Sequence, residues 1–210
     1  YISHLDLQRT LARVLVRANI PMWYTQGFNP HAKVTFGLPL SIGAESECEY
    51  LDLRLDRKIP PEELRRRLNR ELTDEMAVLD AYEPTSKFQD IGWASYEMEL
   101  HFAGADEQTA AAMQTLFTSS SLNMTKKGKA GEREIDIVPL IRSIAVTSPE
   151  LGSIRISALL SASGDGYLNP EFLITAAKER LGILSGDPAE ESYRILRTEV
   201  YLADGETVFR

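Results

Sequence analysis

The chain has 210 residues, 43% hydrophobic and 26% charged, a balance ordinary for a globular protein and enough for one large domain or two small ones. Its net charge of −8 excludes a uniformly basic nucleic-acid coat, and no apolar run approaches the about 18 residues of a membrane span. Cys48 is the only cysteine, which excludes an intramolecular disulfide and a cysteine-built zinc or iron–sulfur site and suits a reducing cytoplasm.

No signal-peptide pattern is visible, and the chain opens on Tyr1 rather than Met, so a missing upstream segment is expected. Ser3 can cap a helix with Asp6 three residues on. Leu7, Leu11, Val14, Leu15 and Ala18 follow at helical spacing until Asn19-Ile20-Pro21 stops the run. Met22 to Thr25 reads as a short strand, Gln26 to Pro30 as a turn, and Lys33 to Leu38 as a second short strand. Gly43 to Asp56 reads as one strand with Leu51, Leu53 and Leu55 on a shared face. Pro60-Pro61-Glu62-Glu63 opens a helix striped by Leu64, Leu68 and Leu72, and Met76 to Tyr82 reads as a strand.

Residues 84–92 read as a linker, after which Tyr96, Met98, Leu100 and Phe102 alternate with Glu97, Glu99 and His101 in a half-buried strand. Asp106 caps a helix through Phe117, and residues 118–133, with Lys126, Lys127, Lys129 and Arg133, suggest a basic hairpin tip. Strand-like runs occupy 134–146 around Pro139, then Ile154 to Leu160. Gly164-Asp165-Gly166 is a turn. Asn169-Pro170 starts a helix that Gly182 ends, and Tyr193 to Leu202 is a last strand. The second half therefore reads β-α-β-β-α-β, and the first reads the same without its opening strand. The expectation is an α+β chain of two tandem ferredoxin-like units, over residues 1–84 and 93–210.

Charge is unevenly spread. Residues 1–44 hold Arg9, Arg13, Arg17 and Lys33 against the single acid Asp6, so the acidic excess lies downstream. The three arginines, four residues apart, align on one helix face and suit phosphates along a nucleic-acid backbone, or a solvated face answered by glutamates. His31 lies in a turn between Asn29 and Lys33 and is suited to proton transfer near neutral pH, with Lys33 placed to stabilise an anion. His4 adds a second imidazole. Each polar group could instead serve its local backbone. Tyr24, Phe28 and Phe36 interleave with these cations and could stack bases or simply pack. Glu45, Glu47 and Glu49 share one side of an extended segment and could hold a hard cation. Without a recognised ligand spacing, salt bridges are the preferred reading, and no metal or cofactor is expected. No phosphate-loop, dinucleotide or nucleophile-elbow pattern is present.

Four motifs in order carry a family resemblance: Tyr1-Ile2-Ser3-His4-Leu5-Asp6, the Arg-x-x-x-Arg helix, Gly27-Phe28-Asn29-Pro30-His31-x-Lys33, and Gly43-Ala44-Glu45-Ser46-Glu47-x-Glu49-Tyr50-Leu51-Asp52. The chain resembles a bacterial family of unknown function named for its association with radical SAM proteins, to which its members are fused or beside which they are encoded. The resemblance implies a radical SAM partner and, through neighbouring ribonuclease and ribosomal-protein genes, an RNA setting. The chain itself lacks the Cys-x₃-Cys-x₂-Cys ligand set of radical SAM enzymes. The architecture is also similar in plan to tandem ferredoxin-like CRISPR RNA-binding proteins, some of which cleave RNA with a histidine and no metal.

The leading expectation is a cytoplasmic accessory protein that recognises RNA for a radical SAM system. Arg9, Arg13, Arg17 and Lys33 would meet phosphates, Phe28 and Tyr24 bases, and His4, Asn29 and His31 would line the site. The alternatives are a metal-independent acid–base enzyme using His31, His4 and Lys33 on RNA, and a purely protein-binding adaptor.

Overall fold

The computed structural model of the chain describes residues 3–128, 131–164, 166–187 and 189–210. Tyr1, Ile2, Lys129, Asp165 and the side chain of Lys127, all named above, lie outside the described residues. In chain order the elements are α1 (His4–Arg17), β1 (Val34–Phe36), β2 (Ala44–Ser46), β3 (Leu51–Leu53), α2 (Pro61–Asn69), β4 (Ile91–His101), α3 (Glu107–Phe117), β5 (Asn123–Gly128), β6 (Gly131–Asp136), β7 (Ile141–Glu150), β8 (Ser153–Ser161), α4 (Glu171–Leu181) and β9 (Ser192–Leu202). The class is α+β. Two compact units divide the chain: Tyr1–Ile42 with Glu49–Lys87 and Arg210, and Gly43–Cys48 with Phe88–Phe209.

In the first unit, Ser3 caps α1, its Oγ accepting from Asp6 N–H at 3.2 Å and donating to the Asp6 carboxylate at 2.6 Å. Asn19, at φ +52°, takes the left-handed conformation that this residue tolerates, and so ends the helix before Pro21. The buried side chains Val14, Leu15, Ala18, Ile20, Met22 and Leu68 form the core, backed by Ala32, Val34, Leu53, Leu55, Ile59, Leu64, Leu72 and Val78. Helices α1 and α2 thus cover one face of a small β layer.

That layer differs from the expected four-stranded sheet. Among the described residues it holds the antiparallel pair β1–β3, with Val34 opposite Leu53 and Thr35 opposite Asp52. Residues 22–25 do not run as a strand because they change partners midway. Met22 bridges to Leu55, and Tyr24 bridges to Ala32. Residues 76–82 carry no strand either. Both main-chain groups of Val78 are taken by the Asn69 side-chain amide, at 2.9 and 2.7 Å, in place of a ladder. The expected single strand over Gly43 to Asp56 is split, with β2 in the second unit's sheet and β3 in the first unit.

The second unit is a five-stranded sheet of order β2-β9-β4-β8-β7, antiparallel except where β2 joins β9 in parallel. Apart from the separate hairpin β5–β6, its elements from β4 onward run β-α-β-β-α-β. Strand period 2 sorts the faces. Ala94, Tyr96, Met98, Leu100, Ile154, Ile156, Ala158 and Leu160 are buried, together with Met113 and Phe117 of α3 and Leu173, Ile174 and Ala177 of α4. Asp106 caps α3, accepting from Thr109 N–H at 2.8 Å, and Gly182 ends α4 at φ +67°. The strand-like run around Pro139 is broken there, because β6 stops at Asp136 and a tight turn over Val138–Leu140 precedes β7. No described helix is long and apolar enough to cross a membrane.

Candidate functional site

Three chain segments of the first unit meet in a closed ring of main-chain hydrogen bonds. Trp23 N–H donates to Arg54 O at 2.9 Å, Arg54 N–H donates to Lys33 O at 3.1 Å, and Lys33 N–H donates to Trp23 O at 3.0 Å. Their neighbours Met22, Ala32, Val34, Leu53 and Leu55 belong to the core side. Strand alternation therefore turns Trp23, Lys33 and Arg54 to the other face, and Lys33 and Arg54 are exposed.

On that face the Arg54 guanidinium lies over the Trp23 ring, 4.2 Å from its centroid. The β1–β3 register, carried one step past Val34 and Leu53, sets Lys33 across from Arg54. Like charges directly opposite in an antiparallel pair repel. Among the described residues neither cation has an ion-pair partner. Asp52, two residues along β3 on the same face, does not supply one. Partial desolvation pushes its carboxyl above the ordinary aspartate value, whereas a paired cation would lower it.

The expected site residues divide around this layer. Tyr24 and Phe28 are exposed, and Phe28 stands fully in solvent at the tip of its turn. His31 is fixed at the base of the turn. Its N–H donates to Thr25 Oγ1 at 3.1 Å, and its Nδ1 lies 3.1 Å from the same oxygen and 3.4 Å from the Asn29 carbonyl. His4 stands edge-on against Phe36 of β1, with ring centroids 4.8 Å apart, and its Nε2 meets the Gln8 amide at 2.8 Å. No contact joins His4 to His31 among the described residues.

The arginine ridge of α1 is elsewhere. Arg9, Arg13 and Arg17 lie across the helix from the core stripe of Leu11, Val14, Leu15 and Ala18, on the side away from the β layer. Arg9 pairs with Asp6 at 3.4 Å. Arg17 reaches Glu71 just past α2, at 3.2 Å to the carboxylate and 3.0 Å to the main-chain oxygen. Only Arg13 of the three lacks an acidic partner among the described residues. The first unit thus carries two cationic sides, not one cluster.

The acids of the third motif are part of the second unit's chemistry or its margin. Glu45 on β2 is held by Arg194 of β9 at 3.0 and 2.6 Å, and this hydrogen-bonded cation draws its carboxyl below the ordinary range. Glu47 N–H donates to Arg197 O at 3.0 Å. No group of three or more His, Cys, Asp or Glu side chains that could hold a metal forms among the described residues. On the sheet face away from α3 and α4, Arg155 meets Glu99 at 3.3 Å and Ser157 donates to Glu97 at 2.8 Å.

Sequence reasoning passed over Trp23, Asp52 and Arg54. The alternation Leu51, Leu53, Leu55 does place Asp52 and Arg54 on the opposite face, and that signal was available. The pairing of Arg54 with Lys33 and Trp23 was not, because it depends on register.

The family model described as an uncharacterized protein conserved in bacteria (DUF2344) matches residues 1–170. The chain belongs to that family. No curated protein matches it, and no solved structure does. In this DUF2344 member the matched span includes the Trp23–Lys33–Arg54 ring, the turn bearing Phe28 and His31, and all of α1.

Proposed function

We propose that the outward face of the first unit's β layer binds single-stranded RNA. The chain then acts as the RNA-recognising accessory of a radical SAM system in the bacterial cytoplasm. One observation carries the RNA reading: Lys33 and Arg54 face each other unanswered, and Arg54 lies on Trp23. Two opposed cations gain most from an anion between them, and a guanidinium stacked on indole offers a flat surface to a base. Exposed Tyr24 and Phe28 extend the aromatic surface. The radical SAM partner rests on the motif resemblance alone. The β-α-β-β-α-β order of the second unit supports reading it as a ferredoxin-like module, with the first unit as its degenerate counterpart.

The test is titration of an RNA oligonucleotide at several salt concentrations. A Lys33→Ala/Arg54→Ala variant should bind more weakly, with a salt slope shallower by about 1.4 for two lost phosphate contacts. An unchanged slope and affinity would remove the proposal. If no RNA binds even at low salt, the adaptor reading takes its place, checked by pull-down of a radical SAM protein.

A second reading is favoured by the fixed histidine. With Nδ1 held by Thr25 and Asn29, the exposed ring keeps Nε2 for proton transfer beside Lys33. On this reading His31→Ala abolishes RNA cleavage without weakening binding. Equal cleavage by both forms, or none by either, disposes of it.

A further inference from the structure

We infer that the outward face of β1 and β3 selects guanine, with Asp52 reading the base that stacks beside Arg54. This rests on the RNA reading above and names the base it prefers.

Three features place a base-reading carboxylate here. Asp52 lies on the same face as Arg54, two residues away along β3, a separation of about 7 Å. That is the reach from a stacking plane to the hydrogen-bonding edge of a base lying on it. Thr35, directly opposite Asp52 and exposed with it, adds a hydroxyl at the same level. The Asp52 carboxylate accepts no side-chain or main-chain hydrogen bond among the described residues, so both oxygens are available. Its neighbours leave it partly desolvated and unrelieved by a cation, the setting in which a ligand's N–H donors have most to offer.

The chemistry then chooses among the bases. An ionised carboxylate only accepts. Guanine presents two adjacent donors, N1–H and the N2 amino group, which match its two oxygens. Adenine and cytosine each offer one amino donor beside a ring nitrogen that accepts. Uracil offers one N–H flanked by two carbonyls. Only guanine satisfies both carboxylate oxygens without opposing a lone pair. Lys33 and Arg54 remain for the phosphates and the stack.

The experiment uses the whole chain and four labelled octamers: oligouridine, and the same strand with one central uridine replaced by guanosine, adenosine or inosine. The wild type should bind the guanosine strand on the order of ten-fold more tightly than the uridine and adenosine strands. Inosine, which lacks the N2 amino group, should fall between. Asp52→Asn, isosteric and exposed, should bind oligouridine as before and lose the guanosine preference. Equal binding of all four strands by the wild type overturns the guanine assignment and leaves the RNA reading standing. A guanosine preference that survives Asp52→Asn overturns the role of Asp52. Binding of none of the strands overturns the RNA reading, and this inference with it.

Discussion

The two units each present a charged β surface, and they handle charge in opposite ways. On the second unit's sheet the arginines are answered: Arg194 by Glu45, Arg155 by Glu99. On the first unit's β layer Lys33 and Arg54 oppose each other, and the nearby carboxylate of Asp52 is desolvated rather than paired. A surface that serves only folding settles into the first arrangement, because each cation finds an anion on a neighbouring strand. Retained repulsion, next to an exposed aromatic, marks a surface whose partner comes from outside. The comparison separates structural charge from binding charge more sharply than net charge does. The acidic total of −8 conceals the one face where cations stand unanswered.

The largest effect that probes this contrast lies under the face rather than on it. Leu15 is buried where α1 seats against the β layer, and Leu15→Ala should cost about 2–5 kcal/mol in urea denaturation. RNA binding should fall with the folded fraction. Met98→Ala, in the second unit's core, should be comparably costly and leave the RNA affinity of the folded protein unchanged. Next comes Trp23→Ala, which removes the stack and should weaken RNA binding by about 1–3 kcal/mol, read by fluorescence titration. Breaking one exposed ion pair is smaller. Arg17→Ala should lower stability by less than about 1 kcal/mol and barely change RNA affinity, because Arg17 is engaged by Glu71.

The smallest effects carry opposite signs on the two surfaces. Asp52 has a raised value in the fold, so its carboxylate destabilises the native state once pH rises above that value, and it costs nothing below the ordinary aspartate range. Asp52→Asn should therefore raise the melting temperature slightly at pH 7 and leave it unchanged in acid. Glu45 has a lowered value, so its contribution is complete above the ordinary glutamate range and is lost as pH falls through the folded value. Glu45→Gln should lower the melting temperature slightly at pH 7, with the difference vanishing in strong acid. Thermal scans of both variants across pH check the two signs together.

Much of the second unit was legible in the sequence. Long strands with strict alternation, Asp106 at a helix start and Gly182 past a helix end are local signals, and the structure uses them locally. The first unit was less legible because its β layer is built from short segments that exchange partners. Residues 22–25 have strand composition and no continuous ladder, and the extended run from Gly43 is divided between two sheets. Nothing in composition or periodicity encodes such exchanges. The candidate site had the same difficulty. Lys33, Phe28, Tyr24 and His31 were visible as unusual residues in one stretch. Trp23, Asp52 and Arg54 join them only through register, and the arginines of α1 leave them because the helix turns its ridge away from the layer.

The most direct measurement compares two double variants in one RNA titration over a range of salt: Lys33→Ala/Arg54→Ala on the first unit and Arg155→Ala/Arg194→Ala on the second. Each removes two cations from a β surface. Loss of affinity and of salt dependence in the first variant alone is the predicted result. Equal losses in both, or loss in the second alone, would contradict the assignment of binding to the unanswered charges.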